Sequence, residues 1–180
     1  MVRNVYTGRM IDHVNGEQIM LRTAKIFLVA TVALWGLLGA FQNIIDWGET
    51  ISSVGAATSM VTFEDGATSW QATSNPVVIW IGALFIVLSK LAVGVLCAIG
   101  AVRMWQARGY DASAFAASKE VALTGCAVAV IMLFGGFIVV AESWFELWRS
   151  DVMRDPVLGS AFRYSGMIAL IALFVATKDE

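Results

Sequence analysis

The sequence predicts an all-α polytopic membrane protein, a bundle of four transmembrane helices, and three observations carry that prediction. The run from Val77 to Val102 exceeds the about 20 apolar residues that cross a bilayer's hydrocarbon as helix, with Lys90 its only ionisable residue. Apolar residues make up 58% of the chain and charged ones 14%, whereas soluble domains run near half and a quarter, so a water-soluble core cannot explain the excess. Finally, apolar runs of spanning length recur between polar connections, with spans expected near residues 22–46, 76–104, 118–142 and 161–177.

Each element has its own reason. Met1 to Glu17 is polar and mixed in charge, with Arg3, Arg9, Asp12, His13 and Glu17, and residues 1–20 read as a soluble tail ahead of a membrane domain over 21–180. Arg22 and Lys25 precede Ile26 to Ile45, an apolar run too long for the core of a cleaved signal peptide, so the first helix is read as a retained anchor. Gly48 to Asn75 turns to Ser, Thr, Gly and acids without one basic residue, and is read as an extramembrane loop. Its Ile51, Val54, Met60, Phe63 and Trp70 are too sparse to span but suit a short amphipathic helix on the membrane surface. Asn75-Pro76 opens the second helix, because a first helical turn does not need the N–H that proline lacks. Gln106 to Ser118 reads as a polar connection, Val121 to Ala141 as the third span, Arg149 to Gly159 with Pro156 as a second polar connection, and Ala161 to Thr177 as the fourth span.

Orientation follows from the basic residues beside the spans. Arg3, Arg9, Arg22, Lys25, Arg103, Arg108, Lys119 and Lys178 flank one side; Arg149, Arg154 and Arg163 flank the other. Positive residues stay inside, so both termini are expected in the cytoplasm, with the Gly48 to Asn75 loop and the Trp144 region outside. In a bacterium this is the inner membrane.

Lys90 is the sharpest single feature. A lysine at a helix centre costs about 2.5 to 3.5 kcal/mol on insertion scales, which neighbouring Ile, Leu, Val and Phe residues offset. Gly94, Cys97 and Ala101 lie on the same face with Ala83 below, a small-residue stripe that turns Lys90 toward protein. With no acid at mid-depth in the other spans, its partners are backbone carbonyls, hydroxyls such as Thr31 or Thr124, water, or a carboxylate of another chain. It is therefore either a proton, anion or intersubunit contact, or a lysine that snorkels and is merely tolerated. Gly36 and Ala40 add a second small pair suited to helix packing, and Gly135-Gly136 allows close approach or a bend. Glu142, Trp144, Phe145, Glu146 and Trp148 form an aromatic and acidic patch, read as an interfacial belt, a docking surface, or a lipid or quinone pocket with Glu142 as proton acceptor.

Other chemistries are set aside. The single histidine, His13, lies in the tail, so no histidine pair exists to ligate haem. One His and the two cysteines, Cys97 and Cys126, offer no metal-ligand set and no nucleophile with a His base, so no metal, no catalytic residue and no cofactor beyond a bound lipid or quinone is expected. A formal net charge of −2 with scattered basic residues excludes a nucleic-acid partner.

Several segments together carry a resemblance. Leu21-Arg-Thr-Ala-Lys25 leading to Phe41-Gln-Asn-Ile-Ile-Asp46, then Gly100-Ala-Val-Arg-Met-Trp105, Glu142-Ser-Trp-Phe-Glu-Leu-Trp-Arg-Ser150 and Ala161-Phe-Arg163, resemble the bacterial predicted small integral membrane protein family, domain of unknown function 2165. The likeness covers Leu21 to Thr177 and implies a four-helix inner-membrane protein without an established activity. The expectation is a non-catalytic accessory or scaffolding subunit of a larger bacterial membrane complex, respiratory or photosynthetic, partnered by the lipid bilayer and other membrane-protein subunits. The alternative is a small transporter or channel using Lys90 as a proton or anion site.

Overall fold

The computed structural model describes residues 3–179, with side chains from Gly16 onward. Four helices are long and apolar enough to cross a membrane: 16–45, 76–107, 112–144 and 154–176. The first belongs to α1, Arg3–Ile45, whose backbone is already helical through most of the segment read as a tail. The tail's side chains before Gly16, His13 among them, lie outside the described residues.

At Asp46 the backbone leaves helical geometry (φ −95°, ψ 46°) and restarts as α2, Trp47–Thr58. This is the short helix expected in the acidic loop. It packs on the first turns of α3, Pro76–Ala107: the Trp47 and Trp80 rings meet edge to face at 5.4 Å, and Gly55 lies under the Ile79 side chain. α3 starts where Asn75-Pro76 requires, with the Asn75 side chain accepting from the Val77 N–H at 2.9 Å and proline in the first turn.

Two connections are shorter than the sequence suggested. Gln106 to Ser118 is largely helical: α3 runs to Ala107, and α4, Ala112–Ser118, begins four residues beyond Arg108. Asp111 was read as a loop acid but is a helix cap, accepting from the Ala114 N–H at 2.9 Å and the Ser113 hydroxyl at 2.6 Å. α4 passes through Lys119 into α5, Glu120–Val130, and the third span then widens into a π-helical segment, Ile131–Trp144. Bonds five residues back mark that widening: the Phe145 N–H donates to Val140 and the Ser143 hydroxyl to Ile138. The other polar connection ends early, because a π turn at Arg154–Gly159 leads directly into α6, Ser160–Ala176. Pro156 sits in that opening turn, where its missing N–H leaves no bond unmade.

α3 is the central span, with α1 on one side and α5 on the other, and α6 closes against α5 and α1. Close approach is bought with small residues, the usual device where lipid tails are as apolar as leucine. A Cβ on Gly36 would stand 2.7 Å from the Gly94 nitrogen and 2.8 Å from the Lys90 carbonyl, and one on Gly94 would strike Leu37. Ala40, Cys97 and Ala101 are buried along the same seams. Gly100 and Gly125, which the sequence reading passed over, do as much between α3 and α5, Gly100 against Ala122 and Gly125 against Cys97. Of the glycine pair, Gly136 abuts the Phe85 ring while Gly135 has no neighbour within 4 Å, so only the second is a packing residue. Only 22–39% of each span's apolar window is buried within the chain, leaving outward faces such as Phe27, Leu34, Leu88 and Phe162 to lipid.

Candidate functional site

Three polar or aromatic clusters sit on this frame, one within the spans and one at each end. Within the spans, the Lys90 ammonium donates to the Asn43 side-chain oxygen at 3.1 Å, across the α1–α3 seam. Lysine side chains on a helix lean toward its N-terminus, so Lys90 reaches up α3 toward the C-terminal end of α1, where Asn43 stands. Its stem lies over Gly39, where an added Cβ would come within 3.2 Å of it. The hydroxyls named as alternatives are engaged elsewhere: Thr31 donates to Leu28 and Thr124 to Glu120, each within its own helix. Lys90 therefore has an amide acceptor within its own chain, and it stays half-buried.

At one end of the bundle, the loop 59–75 is docked against the turn that follows the third span. Arg149 joins the two: its guanidinium pairs with Glu146 at 2.9 Å, donates to the Glu64 carbonyl at 3.2 Å and lies 4.7 Å over the Phe63 ring. Gln71 adds a bond to Glu146 at 3.3 Å. Of the predicted patch, Phe145 is buried with Leu147 beneath the turn, Glu142 is half-buried, and Trp144 and Trp148 are exposed. Trp70, 82% exposed, stacks edge-on to Trp144 at 5.2 Å. The result is an aromatic platform, Trp70 against Trp144, on a cross-braced base, with Trp148 exposed four residues on. Trp70 and Arg149 were visible in the sequence as residues, but their contacts span two segments and carry no local signature.

At the opposite end lies a cluster the sequence reading missed. Lys25 and Lys119, both buried, converge on Asp179: Lys25 reaches its carboxylate at 2.8 Å, and Lys119 takes the other oxygen. Both ammonium groups also donate to the Thr177 carbonyl, at 3.0 and 2.8 Å. Burial pushes the Asp179 carboxyl up, but the hydrogen bonds and charges of Lys119 and Lys25 outweigh it and hold the group below its ordinary value. Beside them Arg22, 5% exposed, spans the gap to the α3–α4 turn, its Nη1 donating to the Arg108 and Tyr110 carbonyls at 3.0 and 2.6 Å. Phe115, fully buried, carries Arg22 at 4.8 Å and Lys119 at 5.3 Å over its ring. In the sequence these were flanking charges that indicated orientation; their partners stand up to 154 residues away.

Among the described residues no group of three or more His, Cys, Asp or Glu side chains is placed to hold a metal ion. The two cysteines are free and buried in the α3–α5 packing, with the Cys97 thiol 3.8 Å from the Ala122 carbonyl. No curated protein and no solved structure matches the chain. A family profile does, that of the "predicted small integral membrane protein (DUF2165)" family, over residues 21–178, from the stretch of α1 that carries Arg22 and Lys25 to the residue before Asp179. With four apolar spans and a match over nearly all its length, the chain belongs to this family of multi-pass integral membrane proteins of unknown function.

Proposed function

We propose that the protein is a non-catalytic accessory or scaffolding subunit of a larger bacterial inner-membrane complex. The observation that carries this reading is the exposed Trp70–Trp144 platform on a base braced by Arg149, Glu146 and Gln71. Exposed aromatics on a rigid support suit the buried anchor positions of a protein interface. The gathering of Arg22, Lys25, Arg108, Lys119 and Lys178 at the opposite end supports a cytoplasmic location for both termini and, with it, an outer location for the platform. Purification from native membranes in mild detergent, read by native mass and by identification of companions, tests it. A stoichiometric companion that is lost in a Trp70→Ala, Trp144→Ala variant of unchanged membrane abundance is the expected result. A lone protein, or a companion retained equally by the variant, overturns the reading.

The Lys90–Asn43 pair supports a second reading, a small transporter or channel with a proton or anion site in the α1–α3 seam. Liposome flux of protons or small anions that is abolished in Lys90→Met is its expected signature, and flux absent from wild type removes it. A quinone or lipid held between Glu142 and Trp144 is a third, and its support disappears if native preparations retain neither.

A further inference from the structure

Arg22 has more donors than its visible partners use. Both of its hydrogen bonds to the described residues come from Nη1, and Nε is buried without an acceptor among them. A guanidinium binds an oxyanion best through two adjacent N–H groups, and here the edge carrying Nε is unclaimed. Arg22 lines two recesses. One, of about 330 Å³, is bordered by Glu17, Lys25, Lys178 and Asp179; the other, of about 220 Å³, by Gln18, Arg108 and Gly109. Among the described residues, the charged groups lining the larger recess are Arg22, Lys25 and Lys178 against Glu17 and Asp179, with Lys119 beyond Asp179, an excess of positive charge. Among the same residues Asp179 serves Lys25 and Lys119, and no carboxylate stands within ion-pair distance of Arg22. The cluster stands where the apolar run of α1 begins and that of α6 ends, the depth of the phospholipid headgroups.

We propose that Arg22, supported by Lys178 and the charge of Lys25, binds a phosphate group at this end of the bundle, the phosphodiester of an anionic phospholipid or the phosphate of a soluble compound. A basic recess between transmembrane helices is a general means of holding an anionic headgroup. Bidentate geometry suits an arginine at the position whose Nε is left without an acceptor, while lysines serve the carboxylate. This site is at the opposite end from the aromatic platform and does not depend on it.

Two arms test the proposal on the full-length protein. In nanodiscs of phosphatidylcholine with a minor share of phosphatidylglycerol, native mass spectrometry is expected to show wild type retaining phosphatidylglycerol, with retention falling about tenfold in Arg22→Gln and in Lys178→Glu. In neutral detergent stripped of lipid, millimolar inorganic phosphate raising the melting temperature of wild type but not of these variants identifies the soluble source instead. Lys178 is exposed and Lys178→Glu leaves the Arg22 carbonyl bonds intact, so it decides the matter if Arg22→Gln does not fold. Neither lipid selectivity nor a phosphate shift in wild type, or equal effects in a folded variant, overturns the proposal.

Discussion

Lys90 shows how far a single residue can be read from sequence. Its stripe of small neighbours pointed it toward protein, and α1 is what it faces, yet the acceptor proved to be Asn43. A search for charges and hydroxyls at equal depth missed it because the side chain climbs toward the N-terminus of its helix and meets a residue nearer the membrane surface. The pair makes opposite predictions for its two members. Lys90→Met removes an insertion cost of about 2.5 to 3.5 kcal/mol at the loss of one bond worth about 1 kcal/mol, so thermal stability in detergent or bilayer holds or rises. Asn43→Leu leaves the ammonium without its acceptor and lowers the same midpoint, by about 1 to 2 kcal/mol. Asp179 behaves differently, because it serves two buried cations. Its carboxyl titrates below the ordinary value when folded, so its stabilisation is complete above the unfolded value of about 4 and is lost as pH falls through the lower folded one. Melting curves against pH are expected to show that acid limb in wild type and to lose it in Asp179→Asn, which at neutral pH is less stable by about 3 kcal/mol.

Among the elements, the spans were legible and their ends were not. Apolar length reports a helix inside a bilayer, but it is silent where helix continues into polar sequence, and so α4 and the opening turn of the last span were read as loop. Asp111 followed by Ser113 and Ala114 is a capping pattern, and reading it as such would have started the third span correctly. Its carboxyl is held below the ordinary value by the Ser113 hydroxyl and the Ala114 N–H, and Asp111→Ala is expected to lower the melting temperature. The π-helical widening of Ile131–Trp144 has no sequence signature that we can identify. Glycines sort by what a side chain would strike. Gly36→Val must push α1 from α3, since the Gly94 nitrogen and Lys90 carbonyl stand within 2.8 Å of its first carbon, at a cost of about 1 to 3 kcal/mol. Gly135→Ala meets nothing within 4 Å and is expected to leave the melting temperature unchanged or slightly raised. Such a contrast within one assay separates packing from general sensitivity to added bulk.

For the whole molecule, the order of spans was readable and the contacts between the chain's distant parts were not. Hydropathy has no access to which polar segments meet across the ends of a bundle, and the Arg149 brace and the Asp179 clasp both join residues far apart in the chain. The arrangement places the α3–α4 turn and Lys178 at one end and the loop bearing Ala67 at the other. In intact cells an impermeant maleimide is expected to label Ala67→Cys but not Gly109→Cys or Lys178→Cys, while inverted vesicles give the reverse pattern. The clasp also has a bearing on the order of synthesis. On the proposed orientation, Lys25 emerges from the ribosome 154 residues ahead of the carboxylate that neutralises it, so until then it and Lys119 are uncompensated charges of the kind that hold helix ends on the side of synthesis. Only when Asp179 arrives are those charges taken out of play. On that orientation, the residues that orient the early spans become, once Asp179 is made, the bolt that fastens the final span to them.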